Sequence, residues 1–198
     1  MRFAISLVVG MLCVASPALA QELVVDYAEA GMIDSPDPRQ WESAAERIGG
    51  DVSVLGEITG AFSAAGSQET AYLASSGLPD SLDPFPDVAQ RVVVYEGEEP
   101  VADWTLPEDH VFSRPVTAMD SDGDGIDEAV LEMSHYNMGT QTMSLALVRL
   151  GDRPEIIQTL PEVFVDSCDA GVGEQAITAA RVTLENGVLV STPVTLEC

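Results

Sequence analysis

From residue 52 onward the chain is a succession of short apolar runs, alternating or β-branched, each broken by Gly, Pro, Asn or Asp. Successive side chains of a strand point to opposite faces, so this pattern predicts strands rather than helices. The runs cover 52–58, 69–74, 91–96, 101–106, 129–136, 142–150, 177–184 and 188–196, all of ordinary strand length. Turn-forming residues separate two pairs of them, Gly97 to Pro100 and Asn137-Met138-Gly139-Thr140, which predicts two antiparallel hairpins. One helix precedes the strands. Asp37 suits an N-cap, Pro38 the first helical position and Gln40 the capping-box partner, while Trp41, Ala44, Ala45 and Ile48 recur on one face. Gly49-Gly50 ends it. Residues 75–90, with Pro79, Pro84 and Pro86, have no period and read as a polar surface loop. The fold class that follows is mainly β, built of antiparallel hairpin units with one N-terminal helix.

The first 20 residues break this picture. A single charge, Arg2, precedes an apolar stretch from Phe3 to Ala15 and then Pro17-Ala18-Leu19-Ala20. This reads as a signal peptide with small residues at the cleavage positions, and it is too short for the roughly 20 residues that span a bilayer. Cys13 lacks the small neighbour that lipid attachment wants, so the pattern predicts a mature chain starting at Gln21, periplasmic or extracellular. Residues 21–198 amount to one ordinary domain. The formal net charge is −25 with no lysine, and the leader contributes no acid. Nucleic acid and anionic membrane surfaces would be repelled, and nothing calls for membrane insertion after cleavage. Acidity spread over the whole chain also suits a solvated surface. After the leader only Cys168 and Cys198 remain, an even pair in an oxidising compartment, which predicts a disulfide.

One segment carries chemistry. Asp120-Ser121-Asp122-Gly123-Asp124-Gly125-Ile126-Asp127-Glu128 places carboxylates at positions 1, 3, 5 and 9 of a tight loop, with glycine at position 6. Alternate side chains of such a loop can converge on one centre, and only a hard cation gathers that many oxygens. Asp120, Asp122, Asp124, the Ile126 carbonyl and Glu128 are therefore the expected ligands. Flexible all-oxygen coordination favours Ca2+ over magnesium, and no Cys or His is present for zinc. An EF-hand is excluded because position 12 is Leu131 and the residues after the loop read as a strand. A weak internal repeat shifted by 59 residues aligns Gly66 and Glu69 with Gly125 and Glu128, but the first copy has Ala61, Ser63 and Ala65 where the second has aspartates.

The acidic loop followed by Ala129-Val130-Leu131, a turn through Gly139 and Leu145-Ala146-Leu147 resembles the FG-GAP or VCBS-type repeat of integrin-α-like β-propellers. The resemblance implies a calcium loop between antiparallel strands of a blade, and it assigns the same ligand set. It covers about 116–150, with a degenerate copy within 56–106 and a disulfide-pinned unit at 160–198. The chain is too short for the roughly seven blades of a closed propeller. An incomplete propeller or a sandwich-like arrangement of blade-like hairpins is expected instead. Thrombospondin type 3 repeats are similar in the nonapeptide alone, but they come in tandem arrays.

Other signals carry less. Gly171-x-Gly173-x-x-Ala176 mimics a dinucleotide fingerprint, yet strand-like residues follow it and no helix N-terminus receives a phosphate. No nucleophile elbow, phosphate loop or His-Glu-x-x-His is present, and neither His110 nor His135 has a spacing that pairs it with a nucleophile. No catalytic residue is assigned. Trp41 and Trp104 sit where tryptophan packs into cores. The expected function is an exported calcium-binding β domain acting as a non-enzymatic binding module of the cell envelope, with a protein or glycan partner. A cell-envelope hydrolase or enzyme inhibitor on the same scaffold is the alternative.

Overall fold

The computed structural model of the protein describes residues 21–30, 37–49, 51–77, 88–171, 173 and 175–198. Residues 1–20, where a signal peptide is expected, lie outside the described residues, as do Gly50 and most of the proline-rich loop. So do Val172 and Glu174 of the glycine fingerprint. Among the described residues the strands are β1 (Glu22–Asp26), β2 (Ser53–Gly60), β3 (Glu69–Ser75), β4 (Gln90–Glu96), β5 (Glu99–Thr105), β6 (Arg114–Met119), β7 (Glu128–Asn137), β8 (Thr140–Arg149), β9 (Glu155–Asp166), β10 (Ile177–Glu185) and β11 (Val188–Leu196). Two short α-helices accompany them, α1 (Tyr27–Ala30) and α2 (Glu42–Ile48). No helix among the described residues is long and apolar enough to cross a membrane.

The predicted helix is present but tighter at its start. Asp37 accepts from the Arg39 N–H, a 3-10 turn covers Pro38–Trp41, and α2 proper begins only at Glu42. Gly49, at φ +75, ends it with its N–H on the Ala45 carbonyl.

All strand pairing is antiparallel. β2-β3-β4-β5 form one four-stranded sheet. The second has seven strands in the order β1-β10-β9-β8-β7-β6, with β11 added to β10. It curls until β1 approaches β6, so it is nearly closed and barrel-like. Tyr27 seals that seam: its hydroxyl donates to Glu132 Oε2 at 2.6 Å, and Arg114 grips the same carboxylate at 3.0 and 2.7 Å. Glu132 is buried, so the pair and the hydroxyl supply the hydrogen bonds that water would otherwise give. Burial first, then the Glu132 charge, push the Tyr27 hydroxyl far above its usual titration range.

Alternation explains the layering. On β7 and β8, Ala129, Leu131, Ala146 and Val148 face the four-stranded sheet, meeting Leu55, Leu73, Val92 and Val94. Their neighbours Val130, Leu145 and Leu147 face the barrel interior with Val163, Phe164, Val182 and Leu189. The central wall is thus apolar on both faces, which is why these two runs are nearly continuous in the sequence. On the far side of the four-stranded sheet, α2 brings Ala44 onto Val54, Tyr72, Val93 and Tyr95, with Trp41 against them. Arg47 there stacks over both tyrosine rings, at 5.3 and 4.1 Å from their centroids. Trp104 packs partly buried against the first core.

Candidate metal centre

The acidic loop joins β6 to β7, and its first carboxylate shapes it. Asp120 Oδ1 accepts from the N–H groups of Gly123 and Asp124 at 2.7 and 3.1 Å, and Oδ2 from Gly125 at 2.9 Å. Asp122 Oδ1 accepts from Asp124 N–H at 3.2 Å, and Asp124 Oδ1 from Ile126 N–H at 2.8 Å. Gly123 and Gly125 take φ values of +81 and +87, which the winding requires and which suit glycine. A side chain at Gly125 would also press on Ala65.

This winding brings one oxygen from each of Asp120, Asp122 and Asp124 within 4.8 Å of one another, on an exposed surface. Glu128 stands apart from that group. It is 3 % exposed, and its Oε2 accepts from the Ser121 N–H at 3.0 Å and the Ser121 hydroxyl at 2.6 Å. The other oxygen, Oε1, accepts from Arg149 Nε at 3.1 Å. As the first residue of β7 its side chain turns inward, toward the half-buried Ser121. Of the expected ligand set, the structure brings Asp120, Asp122 and Asp124 together, while the Glu128 carboxylate is engaged by Ser121 and Arg149. Ile126 contributes its N–H to the winding as described.

Arg149, from the end of β8, bridges the two parts, with Nη2 2.7 Å from Asp122 Oδ2. Its hydrogen bond to Glu128, then the charges of Glu128, Asp122 and Glu155, hold the guanidinium above its usual range against the opposing effect of desolvation. The donor set at the surface is entirely oxygen, with no nitrogen or sulfur ligand in the group, which fits a hard cation.

The loop does not stand alone. Asp127 N–H donates to the Ala61 carbonyl at 2.7 Å, and Asp127 Oδ2 accepts from the Ala61 N–H at 2.7 Å, joining it to the loop between β2 and β3. That loop repeats the construction without the aspartates. Glu69, also 3 % exposed and first in its strand, accepts from the N–H groups of Phe62 and Ser63 at 2.6 and 2.9 Å and from the Ser63 hydroxyl. Phe62 and Ser121 occupy equivalent places at the 59-residue shift, as do Gly66 and Gly125, both in the left-handed region. Burial pushes the Glu69 carboxyl up, but the Ser63 hydroxyl and the two N–H groups outweigh it and hold it below the usual carboxylate range.

Between the two loops lies an open cavity of about 470 Å³, lined by Thr59, Ser67, Gln68, Thr70 and Asp127 among others. At the other flank, the β10–β11 turn reaches the acidic loop, with Gly187 so close that a Cβ would lie 2.5 Å from the Ser121 carbonyl oxygen. Neither histidine joins the centre. His110 stacks on Phe112 beside Asp109, and His135 is exposed on β7. Far from the loop, the sulfurs of Cys168 and Cys198 lie 2.06 Å apart, at disulfide distance. Compared with known proteins, the chain matches no family model, no curated protein and no solved structure.

Proposed function

We propose that the protein is an exported calcium-binding interaction module whose acidic loop, in the manner of an FG-GAP or VCBS-type blade, is ordered by Ca2+ and presents a partner-binding surface. The observation that carries this reading is the convergence of Asp120, Asp122 and Asp124 on one exposed point. The three carboxylates and the Ile126 carbonyl supply oxygens, water completes the shell, and Glu128 with Arg149 fixes the loop from below. Calcium tolerates such a mixed, flexible shell of six to eight oxygens, whereas magnesium demands a near-ideal octahedron. The partner surface is the acidic loop together with the hydroxyl- and amide-lined cavity beside it, suited to a glycan or a polar protein segment.

Thermal unfolding in matched ionic strength tests the site. Affinities of extracellular modules are about 0.1–1 mM, so 10 mM calcium against chelator should raise stability by roughly 1–3 kcal/mol. Asp122→Ala or Asp124→Ala should abolish most of that rise. Asp127→Ala removes the side-chain acceptor of the Ala61 N–H and lowers basal stability, but should keep the calcium response. A melting temperature that does not move with calcium refutes the proposal.

A further inference from the structure

We infer that Met138 is an oxidant-reactive site, a surface thioether that two-electron oxidants such as hydrogen peroxide convert to the sulfoxide while the packed methionines are spared. Met138 is the first residue of the β7–β8 turn and is 88 % exposed. Of the other described methionines, Met119 and Met143 are 5 % and 3 % exposed inside the barrel core, and Met133 packs partly buried against the first core. In the reaction the sulfur lone pair attacks one peroxide oxygen, the O–O bond breaks and a sulfur–oxygen bond forms. The remaining oxygen leaves as water once the protons are redistributed. Sulfur loses two electrons and the peroxide gains them. Access to sulfur controls the rate, so burial protects and exposure sensitises.

A second observation separates Met138 from an ordinary surface side chain. Its backbone takes φ +49, the left-handed region that this turn position reserves for Asn, Asp or Gly. Methionine adds neither burial nor turn propensity there. The neighbouring Gly139 is wedged against the main chain of Asp169, where a Cβ would lie 2.3 Å from the carbonyl oxygen, so the turn is fixed in place with Met138 in solvent. The sulfoxide, polar and chiral, is hydrated at the tip and displaces nothing, whereas the same change at Met143 would break packing.

The test is a peroxide titration of the folded protein, with oxidised positions located by fragment mass spectra. Met138 sulfoxide should form on the order of tenfold faster than that of Met119 or Met143, following the ratio of exposures, and the difference should vanish in denaturant. The singly oxidised protein should keep its melting temperature. A methionine sulfoxide reductase should restore the thioether, and Met138→Leu should delete the fast event in a folded protein. Equal native rates at Met138, Met119 and Met143, or a first event at Met133, overturn the inference.

Discussion

Glu69 and Glu128 show how a single carboxylate at the start of a strand can hold the loop before it. Each opens a strand, each is buried, and each accepts hydrogen bonds from the loop residue seven positions earlier. The position 9 spacing makes Glu128 an expected metal ligand, and in the structure its carboxylate is engaged by Ser121 and Arg149. The recurrence of Gly and Glu at a 59-residue shift is the sequence signal of this loop-bracing contact, since Glu69 makes it in a loop without the aspartates. Glu69 gives this a pH test. Its folded-state carboxyl titrates below the unfolded one, so its contribution is complete above the usual Glu range and is lost as pH falls through the folded value. Glu69→Gln should therefore cost about 1–3 kcal/mol at neutral pH, and the gap to the parent should narrow as pH falls below the usual Glu range. Urea unfolding of the two proteins across that range measures the gap. One that stays constant would refute the ionised role.

At the scale of elements, legibility followed turn chemistry and alternation. The β4–β5 and β7–β8 hairpins were readable because turn residues interrupt matched runs, and the helix because its cap and apolar face agree. Three strands were not readable. β1 is only five residues long, β6 contains Pro115, and β9 contains Pro161 followed by Glu162 at φ +53. In β9 the register with β8 slips around Ser144, whose hydroxyl accepts from Glu162 N–H, so the alternation that would mark a strand is broken by a bulge. The outer edge of β11 is also managed. Leu189 turns its N–H and carbonyl to the side-chain amide of Gln158, and by alternation Pro193 faces the same edge without an N–H to offer. Such close approaches predict a contrast between two turn glycines. Gly139→Ala meets the Asp169 backbone, while Gly97→Ala, at φ +62, meets nothing within 4 Å. Both incur the left-handed cost of roughly 1–2 kcal/mol, and Gly139→Ala should lose at least about 1 kcal/mol more in denaturant unfolding. Equal losses would mean that the contact with the 167–171 turn is not maintained in solution.

For the whole molecule, the long-range contacts were the part no local pattern could announce. The pairing of β1 with β10 and the hydrogen bond from Tyr27 to Glu132, 105 residues apart, close a sheet whose strands individually look like ordinary hairpin members. The cysteines were an exception, because the expected leader takes Cys13 out of the count and leaves one possible pair, Cys168 with Cys198. Their bridge fastens Cys198, just beyond β11, to the turn after β9, and so encloses the β10–β11 hairpin whose tip supports the acidic loop at Ser121. A formal charge of −25 adds repulsion that favours opening at low salt. For a sequence separation of 30, the loop-closure account gives a stabilisation of roughly 3–4 kcal/mol. Replacing both cysteines by serine should then lower the melting temperature by roughly 6–16 °C. Because the lost term acts on the unfolded chain, the calcium response of the folded variant should survive. Two titratable thiols in the unfolded, unreduced parent protein would remove the bridge from the account, and an unchanged melting temperature in the double variant would remove its contribution to stability.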